Sequence, residues 1–215
     1  MAPGSSKAFD EEAGNAQRRR LSAPERRAVI LEAALRTFAS RGYDGASMDE
    51  IAAAAGVSKA VIYDHVVSKR ELYTVLLDSI GADLVAVVEG SLAADVPAGE
   101  ARVRMATDAF FRYVEQYPEG SRLLILELRG ATVSAIGREL EERLTLGIAA
   151  TLGADLRLFE GDAQAARKTQ ILAELLKSAV QGLAGWWFRH PETPREDLVE
   201  NTVAVVWPAI ERLRR

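Results

Sequence analysis

No cysteine occurs among the 215 residues, which excludes a disulfide framework, a thiolate zinc site and a cysteine nucleophile together. The two histidines, His65 and His190, are far apart in sequence, so a multi-histidine metal site is not expected. No phosphate-binding glycine loop or nucleophile elbow is present, and no catalytic residue, metal or cofactor is expected. What remains is a set of hydrogen-bond donors presented by one segment. Residues 47–66 read Ser-Met-Asp-Glu-Ile-Ala-Ala-Ala-Ala-Gly-Val-Ser-Lys-Ala-Val-Ile-Tyr-Asp-His-Val. This spells a capped short helix, a tight turn at Gly56 where the chain needs positive φ, and a second short helix. Small alanines on the first helix let the second pack closely across it, and Ile51, Val57 and Ile62 supply the apolar seam. Lys59, Ala60 and Tyr63 are left facing outward. A helix held at its back and bare at its front suits the major groove of DNA.

The elements that must position this segment read as helices throughout. Four Ser/Thr-x-x-Glu capping boxes occur, at Ser22 to Glu25, Ser47 to Glu50, Ser68 to Glu71 and Thr193 to Glu196. Each precedes an apolar pattern of helical period. Helix one carries Ile30, Ala34 and Phe38 on one face, helix two covers about 48–55, and helix three about 58–65. Helix four starts at Ser68 and runs toward Leu92, helix five covers about 100–116, and two more cover 120–128 and 132–152. Helix eight covers about 162–189. Helix nine runs from Pro194 toward Arg215, with Pro208 expected to kink it or end its regular part. The fold class is all-α, with about nine helices. Residues 1–20 are expected to be a disordered arm, 21–67 a helix-turn-helix domain, and 68–215 a second helical domain with helix four as connector.

The net charge of −4 argues mildly against nucleic acid when taken alone. It is unevenly spread: residues 18–78 hold ten Lys/Arg against eight Asp/Glu, whereas 79–215 hold sixteen against twenty. The small basic surplus therefore coincides with the helix-turn-helix segment. Met1 to Gln17 lacks an apolar core of signal-peptide type, and no apolar run is long enough to span a membrane, so a cytoplasmic location is expected.

From about Pro24 to Leu77 the sequence resembles the tetracycline-repressor (TetR) family of bacterial transcription regulators. The resemblance rests on Phe38 with Gly42-Tyr43 closing helix one, Ser47 opening helix two, and Ile51-Ala52 with Ala55-Gly56-Val57-Ser58. It continues through Ile62-Tyr63-Asp64-His65-Val66 and Ser68-Lys69-Arg70-Glu71-Leu72. The resemblance implies phosphate contacts from Tyr63, His65 and Lys69, with Ser47 and Ser58 adding hydroxyls at the starts of their helices. Lys59 and Ala60 stand where base-edge readers sit: Lys59 could reach guanine O6 and N7, and Ala60 offers a methyl group to thymine. Val66 replaces the phenylalanine of many members, and Asp64 puts a negative charge near the groove.

The same resemblance implies a C-terminal domain that binds a small-molecule effector and forms dimers. Phe110, Phe111, Tyr113, Leu124, Leu128, Ile136, Leu140 and Trp186 are the candidate pocket lining. An Ala/Gly-rich stretch of helix eight (Ala179, Gly182, Ala184, Gly185) and an apolar stripe on helix nine suggest a homodimer through these two helices. The implied function is a homodimeric regulator, a repressor, that binds a palindromic operator and is released by an unknown small-molecule effector. The rival reading is an α-helical ligand-binding or scaffold protein of the same fold without sequence-specific DNA binding.

Overall fold

Helix α1 (Ala23–Gly45) opens on Ser22, whose hydroxyl accepts from the Glu25 amide while its own amide donates to the Glu25 carboxylate at 2.8 Å. The same reciprocal box starts α2 (Met48–Ala55) at Ser47 and Glu50. These caps satisfy backbone donors that would otherwise have no partner. The computed structural model describes residues 22–92, 99–127, 134–156, 159 and 162–213. The expected arm at 1–20, including Arg18–Arg20, lies outside the described residues.

Gly42 breaks the regular turn of α1 at φ 70°, a conformation open to glycine and strained for other residues. Gly56 caps α2 in the left-handed region at φ 65°, and the chain turns directly into α3 (Lys59–Tyr63), capped by Ser58. Beneath these three helices lie Ile30, Ala34, Phe38, Ile51 and Ile62, each 1% exposed or less. Phe38 meets Tyr73 edge-on at 4.8 Å between ring centres. Val66, at 4% exposure, fills its core slot without an aromatic ring.

Helix α4 (Lys69–Leu92) leaves this head and runs into the second layer. At its start the Ser68 hydroxyl accepts from the Glu71 amide, but the Glu71 carboxylate takes the Val67 amide, one residue before the expected partner. The body consists of α5 (Glu100–Gln116), α6 (Pro118–Arg122), a π-helical turn (Leu123–Glu127), α7 (Ser134–Leu156), α8 (Ala165–Trp187) and α9 (Arg195–Leu213). Helix α4 packs on α5 and α7, α5 on α9, and α7 on α8, while α1 rests against α6 and the π turn. Among the described residues there are nine α-helices, one π turn and no strand, the all-α class that the apolar periods predict.

Three details differ from the sequence-based expectation. The segment 120–128 is not one helix: α6 is short, and Leu123–Glu127 widen into a π turn that sends Leu123, Leu124 and Ile125 into the core. Of the two outcomes expected at Pro208, a kink or an end, the end does not occur: α9 continues to Leu213, and with the ring on the exposed face only one helical hydrogen bond is lost. The Thr193 box does not form, because the Glu196 carboxylate turns to Arg195 at 3.0 Å and α9 begins there.

The core of the body is aromatic at its centre. Phe110 and Phe111 stand edge-on at 5.2 Å, and Phe111 meets Trp187 at 5.9 Å. Trp187 Nε1 donates to Thr193 O at 2.8 Å, which closes the turn between α8 and α9. The Tyr113 hydroxyl donates to Ile80 O at 3.1 Å, and burial pushes this phenol up to about 12. That bond fixes the middle of α4 to α5.

Candidate nucleic-acid interface and effector cavity

Helix α3 is anchored by Ile62, fully buried, and by Val66 just beyond it. Its opposite face carries Lys59, Ala60 and Tyr63, all exposed, with Tyr63 45% accessible. Ser58 is exposed as well; its hydroxyl accepts from the Val61 amide at 3.4 Å, leaving its own proton to donate outward. His65 is half-buried just after the helix, where its amide donates to Ile62 O. Asp64, the C-cap of α3, is exposed beside it.

Three of the expected groups are already engaged within the chain. The Ser47 hydroxyl donates to Glu50 Oε2 at 3.1 Å and accepts from the Glu50 amide, so its bonding capacity goes to the cap. Arg41 adds a contact to the other Glu50 oxygen at 3.1 Å. Lys69 Nζ donates to Ala46 O at 2.7 Å and to Asp44 O at 3.4 Å, and sits 4.6 Å over the Tyr43 ring. This ammonium clamps the start of α4 to the corner between α1 and α2, with one of its three protons left for a ligand. Lys59 Nζ meets Asp49 Oδ2 at 2.9 Å, and the bond to Asp49 together with its charge raises the lysine above its ordinary value. From sequence, Asp49 and Asp44 carry no expected role, and Tyr43 only that of closing helix one. The available signal was geometric: two short helices crossing at a tight turn bring their first turns together.

In the body, a cavity of about 110 Å³ lies among α4, α5, α7, α8 and α9. Its α5 wall is the stripe Val103, Ala106, Thr107 and Phe110, spaced as one helical face. Leu84 and Val88 of α4, Leu144 and Ile148 of α7, and Leu176 and Val180 of α8 complete an apolar interior. The polar groups on the wall are few: Arg102, Lys177, Gln181, and Thr107 and Thr202 hydroxyls. Thr107 donates to Val103 O, whereas Thr202 Oγ1 is buried with no hydrogen-bond partner among the described residues. Lys177, 4% exposed, binds Glu174 Oε2 at 2.9 Å and holds that carboxyl below its usual range.

Of the lining expected from sequence, Phe110 faces this cavity. Phe111 and Tyr113 instead fill the central core, on the side of α5 that meets Trp187 of α8 and Ile80 of α4, and Leu124 is buried in the same core from the π turn. Trp186 lies on the outer face of α8, 37% exposed and stacked on His190 at 4.1 Å. Leu128 and the side chains of Ile136 and Leu140 lie outside the described residues. A second cleft, about 540 Å³, opens between α1 and the end of α8, and charged residues (Arg36, Glu115, Glu119, Arg122) form much of its rim.

Residues 30–76 match the model of the bacterial regulatory proteins of the tetR family. The HTH-type transcriptional activator FasR of Mycolicibacterium smegmatis is 32% identical over 200 residues, covering 93% of this chain and 90% of that protein. The chain belongs to the TetR family. The regulator TtgR of Pseudomonas putida is 44% identical over 64 residues, 30% of each chain, a match of head length only. Among solved structures, the fatty acid degradation regulator FadR of Bacillus halodurans superposes with a TM-score of 0.72 at 17% identity, covering 84% of this chain and 97% of its own. A TetR-like regulator from Rhodococcus gives a TM-score of 0.72 at 22% identity, with 89% and 99% covered. As a TetR-family member the protein is a DNA-binding transcription regulator and not an enzyme. FasR is named an activator, so the repressor role expected from sequence finds no support in that relative's name. Among the described residues, no helix of this TetR-family chain is long and apolar enough to cross a membrane.

Proposed function

We propose that the protein works as a homodimer that sets two α3 helices on a palindromic duplex site, and that an amphipathic acyl ligand in the α4–α9 cavity controls occupancy of that site. The observation that carries the reading is the cavity itself: an apolar interior with a few polar groups and a buried Thr202 hydroxyl that has no partner among the described residues. Such a lining suits a chain with a polar head. The FadR of Bacillus subtilis, which shares the fold at a TM-score of 0.72, was solved in complex with stearoyl-CoA. At about 110 Å³ the cavity is smaller than the roughly 300–1,000 Å³ usual for a ligand pocket, so a long chain enters only if the helices around it part. The ligand therefore favours a spread conformation, which is the differential affinity that regulation requires.

Dimerisation is supported by an unpartnered apolar face. On α8 the exposed residues Ile171, Leu175, Ala179, Gly182 and Trp186 form one stripe, and α9 adds Val205 at 76% exposure. Apolar side chains gathered along two adjacent helices mark an association surface. Ligand binding is expected to lower operator occupancy. The place of the operator relative to the promoter then decides whether release restores or withdraws transcription, and the activator FasR favours the second outcome.

On the DNA side, Tyr63, His65, Ser58 and the remaining proton of Lys69 are proposed to meet phosphates, with Lys59 and Ala60 at base edges. Tyr63→Ala is expected to change folding stability by less than about 0.5 kcal/mol, since the side chain is exposed. A hydrogen bond to a charged phosphate is worth roughly 1.5–3 kcal/mol, so loss on both protomers should weaken operator binding about 100-fold or more in a gel shift. Unchanged binding would remove Tyr63 from the interface.

The ligand half is tested by thermal shift with stearoyl-CoA against free CoA. At 100 times its Kd a ligand adds about 2.7 kcal/mol, which for a chain of this size moves Tm by roughly 5–10 °C. Ala106→Trp, which fills the α5 wall of the cavity, should abolish that shift while leaving operator binding in place. No shift with any acyl-CoA would count against the acyl ligand.

A further inference from the structure

Asp49 sits in the first turn of α2, its side chain 73% exposed, yet it does not serve the cap of that helix, which Ser47 and Glu50 complete between themselves. Its carboxylate instead reaches across the turn to Lys59 Nζ, ten residues on, at 2.9 Å. Lys59 is the only cation of α3 and shares its outward face with Tyr63 one turn later. The one positive side chain of the recognition helix is thus paired with a carboxylate before DNA arrives.

We propose that Asp49 is a specificity-determining residue that positions Lys59 for a guanine edge and denies the amine to phosphates. The inference rests on the placement of α3 in the major groove proposed above. An ammonium carries three protons: Asp49 takes one, and the other two match the O6 and N7 acceptors of a single guanine. An unpaired lysine in the same place would settle on the nearest phosphate of any sequence, which adds affinity without discrimination. With Asp49 beside it, the carboxylate repels that phosphate and the amine exchanges one anion for another with little gain. Binding is weakened everywhere and least where a guanine stands opposite Lys59.

The experiment uses the full-length protein, a duplex selected by it from a random pool, and a scrambled duplex of equal length, with affinities read by fluorescence anisotropy over a range of salt. Asp49→Asn should bind the scrambled duplex about 3–10 times more tightly and steepen its salt dependence by about one unit per protomer. The ratio of selected to scrambled affinity should fall at least about 5-fold, and Asp49→Glu should keep most of the wild-type ratio. In a Lys59→Ala background, Asp49→Asn should leave the ratio unchanged. A ratio that D49N does not move, or that it lowers equally when Lys59 is absent, overturns the proposal, because the charge of Asp49 would then act on DNA by itself. A Lys59→Ala protein that binds the selected duplex as the wild type does would remove Lys59 from the base edge and this role with it, whereas the placement of α3 fails only if Tyr63→Ala is silent as well. Both side chains are exposed, so the variants should fold, with melting temperatures within about 2 °C of wild type.

Discussion

Leu175→Glu is expected to yield a folded monomer that no longer holds its operator. Leu175 is 63% exposed in the protomer, so a carboxylate there remains in water and helical circular dichroism should match wild type. In a two-fold dimer the same face meets itself, so one substitution places two carboxylates in a single apolar contact. Burying charge without a partner costs several kcal/mol per ion, enough to raise the dimer dissociation constant more than about 1,000-fold. Operator affinity then falls with it. Two heads joined in one dimer bind their half-sites with an avidity about 10²–10⁴ above a single head, and a head with a charge surplus of only two gains little from bulk attraction. Sedimentation and a gel shift at equal protomer concentration measure both effects. A dimer that persists with L175E would place the interface elsewhere.

Phe38→Ala is expected to cost about 3–5 kcal/mol, a large part of the roughly 5–15 kcal/mol that holds a domain folded. Phe38 is 0% exposed and its ring touches both Tyr73 and Tyr43, so removing it opens a void bounded by α1 and α4 that rigid neighbours cannot fill. The loss falls on the head, where Ile30, Ala34, Ile51, Ile62 and Val66 share a core that continues into that of the body. Denaturant unfolding should show the midpoint fall, and Tm should drop by roughly 6–20 °C. Phe38→Leu, which keeps more of the volume, should cost less. A change below about 1 kcal/mol for the alanine variant would mean that the head is not held by this aromatic cluster.

How much of this was legible in the sequence depended on whether the deciding physics was local. The caps at Ser22 and Ser47 and the left-handed Gly56 involve groups within four residues, and the sequence displays them directly. The face of α3 was also legible, because Ile62 and Val66 are its apolar contacts and the rest must turn outward. The cavity was less so. Helix α5 is apolar over a wide arc, so Phe110 and Phe111 look equivalent, and only the packing of α4 and α8 decides which one borders the void. Trp186 illustrates the reverse ambiguity: a large aromatic at helical spacing suggests an interior, whereas here it extends an outer face. The ion pair of Lys59 and the clamp of Lys69 join residues 10 and 23–25 positions apart, a crossing geometry that periodicity does not encode.

The clamp of Lys69 onto the carbonyls of Ala46 and Asp44 has a mechanical consequence. It welds the near end of α4 to the head, while Tyr113 grips Ile80 near the middle of the same helix. Helix α4, 24 residues and about 36 Å long, is then a beam on a fulcrum. Val88 at the cavity lies about 12 Å beyond Ile80, and Lys69 about 17 Å before it, so the two arms stand near 1 to 1.4. If α4 turned rigidly about Ile80, a push of about 1 Å at Val88 would return at the head as about 1.4 Å in the opposite sense. In the proposed dimer the two-fold axis would relate the two movements, and the gap between the heads would change by up to about twice that. The Lys69 clamp would carry such travel into the head and, in the proposed dimer, into the spacing of the two heads.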